Sequence, residues 1–215
     1  MRGSVCLACH GIWIMRLGLL ADIHEEVDLL RSALAHFARC GVDQVVVLGD
    51  IFETGRNIEP AARLLQEAGA VGVWGNHELG LCHEPEPELV ARYPAVATQF
   101  MATLKSQWEL ENFFFTHAIS TIDPTDPFAY YSSVRPQTPE ARDECFARFP
   151  HRVMLMGHYH RWMAATPERI LAWEGEGALD LSQAPMLVVI HAVMQGFCAV
   201  LDTNRRTLSP HRLQS

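Results

Sequence analysis

No apolar run in the 215-residue chain approaches the ~20 residues that a membrane-spanning helix needs. Positive charge is also scarce. Lys and Arg number 17 against 25 Asp and Glu, a net charge of −8. A general nucleic-acid binder, or a protein lying on anionic membranes, needs a basic face, so both classes are excluded. A small phosphate ester remains an acceptable substrate, because two bound divalent cations would add about four positive charges at one place. Internal repeats, low-complexity tracts and domain linkers are absent, so the chain reads as one domain with a sizeable core. Hydrophobic residues at 49% and charged residues at 20% suit a core with an ordinary surface.

Cysteine pairing is missing as well. The six cysteines are mostly scattered, several in apolar stretches, and read as reduced residues of a cytoplasmic protein. The exception is Cys6-Leu7-Ala8-Cys9-His10, which matches a c-type haem attachment site. Haem attachment goes with export, yet no apolar signal-peptide core precedes the motif. The motif also offers too few ligands for a closed zinc site. Residues 1–14 therefore read as a non-core extension, with Met15-Arg16-Leu17 opening the first strand. A single domain is expected over 15–208, with a frayed tail at 209–215.

What the chain does have is metal-ligand chemistry at the ends of strands. Asp22 and His24 close the run Arg16–Ala21, and Gly49-Asp50 closes Val45–Leu48. Gly75-Asn76-His77-Glu78 closes Val71–Trp74, Thr116-His117 closes Asn112–Phe115, and Gly157-His158-Tyr159-His160 closes Val153–Met156. Alone, His117 reads as a core histidine, and Asp22 or Asp50 as a turn residue. Five apolar runs that each deliver Asp, Asn or His at the same edge read as a site, since open α/β sheets bind ligands at the carboxyl ends of their strands.

The first half alternates strand and helix. Val27, Leu30, Leu34, Phe37 and Ala38 recur at helical spacing over 25–39, with Glu25, Glu26 and Asp28 in the first turn, where the helix dipole favours them, and Gly41 as the stop. A second helix is expected over 60–68, and parallel strands joined by right-handed crossovers follow from the alternation. Residues 79–92 read as an acidic loop, 94–105 as a helix, 119–137 as a long loop, and 138–148 as a helix capped at Thr138. After His160, Ile170–Trp173, Met186–Met194 and Phe197–Asp202 read as antiparallel strands completing a second sheet.

Taken in order, Asp22-Ile23-His24, Gly49-Asp50, Gly75-Asn76-His77-Glu78, His117 and Gly157-His158-Tyr159-His160 resemble the signature of the calcineurin-like metallophosphoesterases. The resemblance covers about residues 16–160. It implies an α/β fold, a four-layer α-β-β-α sandwich of two mixed sheets with metals at one end. It implies that Asp22, His24 and His160 hold one divalent metal ion, that Asn76, His117 and His158 hold a second, and that Asp50 bridges them together with a water or hydroxide nucleophile. His77 would be the catalytic residue facing the substrate, and Glu78 would orient it or lie at the surface. Imidazole and carboxylate ligands suit Mn first, with Fe, Zn, Co or Ni as alternatives, whereas Mg prefers oxygen alone.

The sequence departs from its protein-phosphatase relatives. They carry Asp-Arg-Gly soon after Gly-Asp, whereas this chain has Glu53-Thr54-Gly55-Arg56, which counts against a protein phosphatase. Arg56 is the candidate replacement for the missing arginine. Tyr130 and Tyr131 are further candidates to contact substrate, by stacking on a base or aryl group, or else to fasten their loop. The expected function is a dinuclear-metal phosphohydrolase acting on a phosphodiester. The alternatives are a phosphomonoesterase and a catalytically silent scaffold.

Overall fold

A computed structural model describes residues 15–132, 134–150 and 152–214. The extension expected at 1–14, with its Cys6, Cys9 and His10, lies outside the described residues. The strands are β1 (Arg16–Leu20), β2 (Gln44–Leu48), β3 (Val71–Val73), β4 (Gln107–Leu110), β5 (Phe113–Thr116), β6 (Val153–Met156), β7 (Met163–Ala165), β8 (Leu179–Asp180), β9 (Met186–Val189), β10 (Phe197–Asp202) and β11 (Thr207–Arg212). The helices are α1 (Val27–Cys40), α2 (Ile58–Glu67), α3 (Leu79–Cys82), α4 (Pro87–Val90), α5 (Ala95–Met101) and α6 (Pro139–Arg148).

One sheet runs β3-β2-β1-β10-β11-β8 and the other β4-β5-β6-β9-β7. Strands β1, β2 and β3 pair parallel, as the βαβαβ pattern predicts. In the second sheet β5, β6 and β9 pair parallel. The layers follow from side-chain alternation. Leu17, Leu19, Val46, Leu48, Phe115, Leu155 and Val188 fill the space between the sheets. Leu20, Val45 and Val47 turn the other way and pack with Leu30, Phe37 and Leu65 of the first helical layer. Phe114, Met154 and Leu187 do the same beneath Cys145 and Phe146 of α6. Three buried interfaces make the four layers α-β-β-α. The side chain of Gly18 is absent for a reason: a Cβ there would lie 2.5 Å from the Phe37 ring, which occupies its place.

Several expectations are corrected. Strand β10 pairs antiparallel with β1 in the first sheet, not the second, and β9 enters the second sheet parallel to β6. Ile170 makes an isolated bridge to Ala165 instead of a strand. Residues 207–212 do not fray: they pair along β10, and Leu208 and Leu213 are buried. Their apolar side chains on the core face outweigh the basic composition that suggested a loose end. Gly41, at φ 62°, caps α1 as expected, and Thr138 accepts the Ala141 N–H at the start of α6.

Candidate metal centre

Each candidate ligand leaves the C-terminal end of a strand: Asp22 and His24 after β1, Asp50 after β2, Asn76 after β3, His117 after β5, His158 and His160 after β6. The loops are laced together. Asp22 N–H donates to Gly49 O (3.0 Å), His24 N–H to Asp50 O (2.9 Å) and Gly157 N–H to His117 O (2.9 Å). Close approach requires glycine. A Cβ on Gly49 would sit 2.4 Å from His117 Nδ1, and one on Gly75 2.2 Å from Asp50 Oδ1. Five ligands hold left-handed backbone: Asp22 (φ 50°), His24 (46°), Asp50 (52°), His158 (66°) and His160 (48°). Side chains rarely adopt this region, and such strain concentrates at functional sites.

Ligand atoms of Asp22, His24 and His160 lie within 4.8 Å of one another, and so do those of Asp50, His117 and His158. A third group of the same kind joins His24, Asp50 and His77. Asp50 Oδ2 lies 3.8 Å from His24 Nε2 and 3.3 Å from His117 Nε2. Asn76 Oδ1 is 3.2 Å from His117 Nε2, and His160 Nε2 is 3.4 Å from Asp22 Oδ1.

The outer hydrogen bonds decide which ring nitrogen faces inward. His117 Nδ1 lies 2.6 Å from Leu48 O, and His24 Nδ1 lies 2.5 Å from a Glu53 carboxylate oxygen. Both Nδ1 atoms therefore carry a proton and donate, which in the neutral ring leaves Nε2 with a lone pair. His158 Nε2 donates to Tyr130 O at 3.2 Å and leaves Nδ1 for the centre. His24 Nε2 is buried without a hydrogen-bond partner among the described residues. The lone pairs of His24 and His117 thus converge on the Asp50 carboxylate, where only a proton or a cation fits between them. The donor set fits divalent metal ions.

The charges of the chain alone favour a proton between Asp50 and His117. Burial works against the charged form of Asp50, but His117 and His77 outweigh it and hold the carboxyl below its usual range. Burial likewise opposes a charged His117, yet the Asp50 charge raises its pKa to about 9. His158 goes down to about 4, through burial and then the His117 charge. Glu78 goes up to about 7, through burial and then Asp50.

His77 stands at the open side. Its side chain is 30% exposed, its N–H donates to Asp50 Oδ1 (3.1 Å), and its ring lies edge-on to His24. Its Nδ1 is 3.4 Å from the Glu53 oxygen that accepts from His24, so Glu53 links the two rings. Glu78 neither orients His77 nor lies at the surface. It is buried and accepts N–H from Gly75 (2.7 Å), Ile51 (3.0 Å) and Phe52 (3.4 Å), tying the loop after β2 to the loop after β3. Arg56 is exposed on the loop between β2 and α2. Tyr131 is exposed, but Tyr130 is buried, and its hydroxyl donates to Pro124 O. Of the two roles the sequence left open for Tyr130, the buried ring, packed beside His117 and His158, takes that of fastening the loop. The carbonyl of Tyr130 matters as well, and no sequence pattern marks a carbonyl.

A profile of the calcineurin-like phosphoesterase superfamily domain matches residues 15–191. The chain belongs to this superfamily. It is a metal-dependent phosphoesterase, a hydrolase of phosphoric ester bonds. The phosphoesterase is 24% identical over 174 residues to an uncharacterized protein of Methanocaldococcus jannaschii, a match covering 76% of this chain and 70% of that protein. Its fold is similar to that of a metallophosphoesterase from Sphaerobacter thermophilus, with a TM-score of 0.73 at 20% identity, over 94% of this chain and 89% of the other. It is also similar to an archaeal phosphodiesterase, with a TM-score of 0.51 at 14% identity, over 93% of this chain and 100% of the other.

Proposed function

We propose that this phosphoesterase hydrolyses a small phosphodiester at a centre of two divalent cations, with Mn the first expectation. The observation that carries this reading is the convergence of His24 Nε2 and His117 Nε2 on one Asp50 oxygen, with a further ligand group on either side. Asp22, His24 and His160 would hold one cation, Asn76, His117 and His158 the other, with Asp50 shared. Bound there, the pair would supply an activated water nucleophile and neutralise charge on the phosphoryl group. His77, partly exposed beside His24 and Asp50, protonates the leaving oxygen, and Glu53 holds the ring for that transfer. Arg56 and Tyr131, both exposed, are offered as contacts to phosphate and to an aryl or base group. Diester preference draws support from the fold shared with the archaeal phosphodiesterase. A cytoplasmic location draws support from Cys40, Cys82, Cys145 and Cys198, which are all unpaired.

The test compares bis-p-nitrophenyl phosphate with p-nitrophenyl phosphate in Mn, beside a chelator control. Chelator-sensitive turnover favouring the diester is expected, and monoester preference would reverse the substrate class. His77→Ala should lower kcat by roughly 10²–10⁴-fold with metal content unchanged. Loss of metal instead would make His77 a ligand. No turnover by the metal-loaded wild type would favour a scaffold.

A further inference from the structure

Glu25 follows the ligand His24, and its place in the fold differs from the one its sequence neighbourhood implies. Helix α1 begins only at Val27. Glu25 itself is 5% exposed and holds φ 61°. Glycine adopts that backbone freely, whereas a glutamate there is strained, and strain of this kind persists only where the surroundings enforce it. What enforces it is the loop after β2. One carboxylate oxygen accepts N–H from Glu53 (3.0 Å), Thr54 (3.1 Å) and Gly55 (2.5 Å), and the other accepts N–H from Asn57 (2.9 Å). Four amides of a five-residue stretch wrap one buried carboxylate.

The wrapped loop carries Glu53, whose own side chain is 44% exposed. Yet one Glu53 oxygen must reach both His24 Nδ1 and His77 Nδ1, at 2.5 and 3.4 Å. The same loop carries the exposed Arg56. We infer that Glu25 is a positioning residue for this site: its carboxylate fixes residues 53–57 so that Glu53 spans His24 and His77. This inference rests on the role proposed for His77.

Glu25→Gly removes the carboxylate and the φ strain together. In the full-length protein we expect amide exchange at residues 53, 54, 55 and 57 to quicken by roughly tenfold or more, and the ring-nitrogen NMR shifts of His24 and His77 to move. On bis-p-nitrophenyl phosphate, kcat should fall by about 10–100-fold, as when an outer partner of a metal ligand is lost, with metal content retained. The double variant Glu25→Gly/Glu53→Gln should be no slower than Glu53→Gln alone, because both act through the same contact. Glu25→Gln, which keeps the length but not the charge, should fall between wild type and Glu25→Gly. Unchanged exchange and ring shifts, or losses that multiply in the double variant, would overturn the inference. If the wild type hydrolyses no ester, the proposed function fails, and exchange with the ring shifts still decides whether Glu25 places Glu53.

Discussion

At Gly75 a single hydrogen is all the room the fold leaves, since the nearest side-chain atom to a Cβ there would be Oδ1 of Asp50, the proposed bridge. Overpacking a close contact typically costs ~1–3 kcal/mol. Gly75→Ala should therefore lower the melting temperature and weaken Mn binding by roughly tenfold, since the Asp50 carboxylate must move. A calorimetric titration giving wild-type Mn affinity would show that Asp50 does not hold the metal in this position. The seven candidate ligands stood out from residue type and strand position. Glu25 did not, because a carboxylate just before a helix fits the dipole equally well, and only the backbone of a distant loop reveals its role. The role of Tyr130 stayed open for a related reason: the sequence shows an aromatic pair, but not which ring is inside.

Helix α1 and strand β11 meet through a stack of His36 on His211, with ring centroids 3.5 Å apart and planes within 6°. Cys40 Sγ lies 3.4 Å from His36 Nε2. Burial, then the neighbouring His211 and Arg39, holds His36 below its ordinary pKa; burial and Arg39 do the same to His211. The folded protein thus takes up these protons less readily than the unfolded chain. This contribution is fully present above pH ~6.5 and is lost as pH falls through that value toward the lowered folded pKa values. Melting curves of chelated protein between pH 8 and pH 5 should fall more steeply for wild type than for His211→Gln, and identical slopes would discard the idea. The sequence offered no hint of this seam, because it treated residues 209–215 as a loose end. Which strand lies beside which is a long-range choice, and β11 gains its place by covering β10 and burying Leu208.

Across the whole molecule, the candidate centre gathers side chains from five strand ends spread between residues 22 and 160, so a metal held there would link its binding to folding. Mn at about one hundred times its Kd should add ~2.7 kcal/mol of stability per site, read as a rise in melting temperature that chelator reverses. His77→Ala should keep that rise and Asp50→Asn should lose most of it; equal rises in both would put the shared carboxylate elsewhere. The sequence by itself determined the alternating layers, through apolar runs of period two and helical spacing, and the superfamily, because the chemistry of each motif is local to its strand end. It also determined the parallel first half, since strand–helix–strand units close in one hand. Only the tertiary structure decided that β10 belongs to the first sheet and β9 to the second, which nitrogen of each histidine faces the centre, and that Glu53 and Glu25 stand behind it. Those outcomes depend on backbone carbonyls and amides brought together from far along the chain. Every residue carries such groups, so residue type cannot announce them.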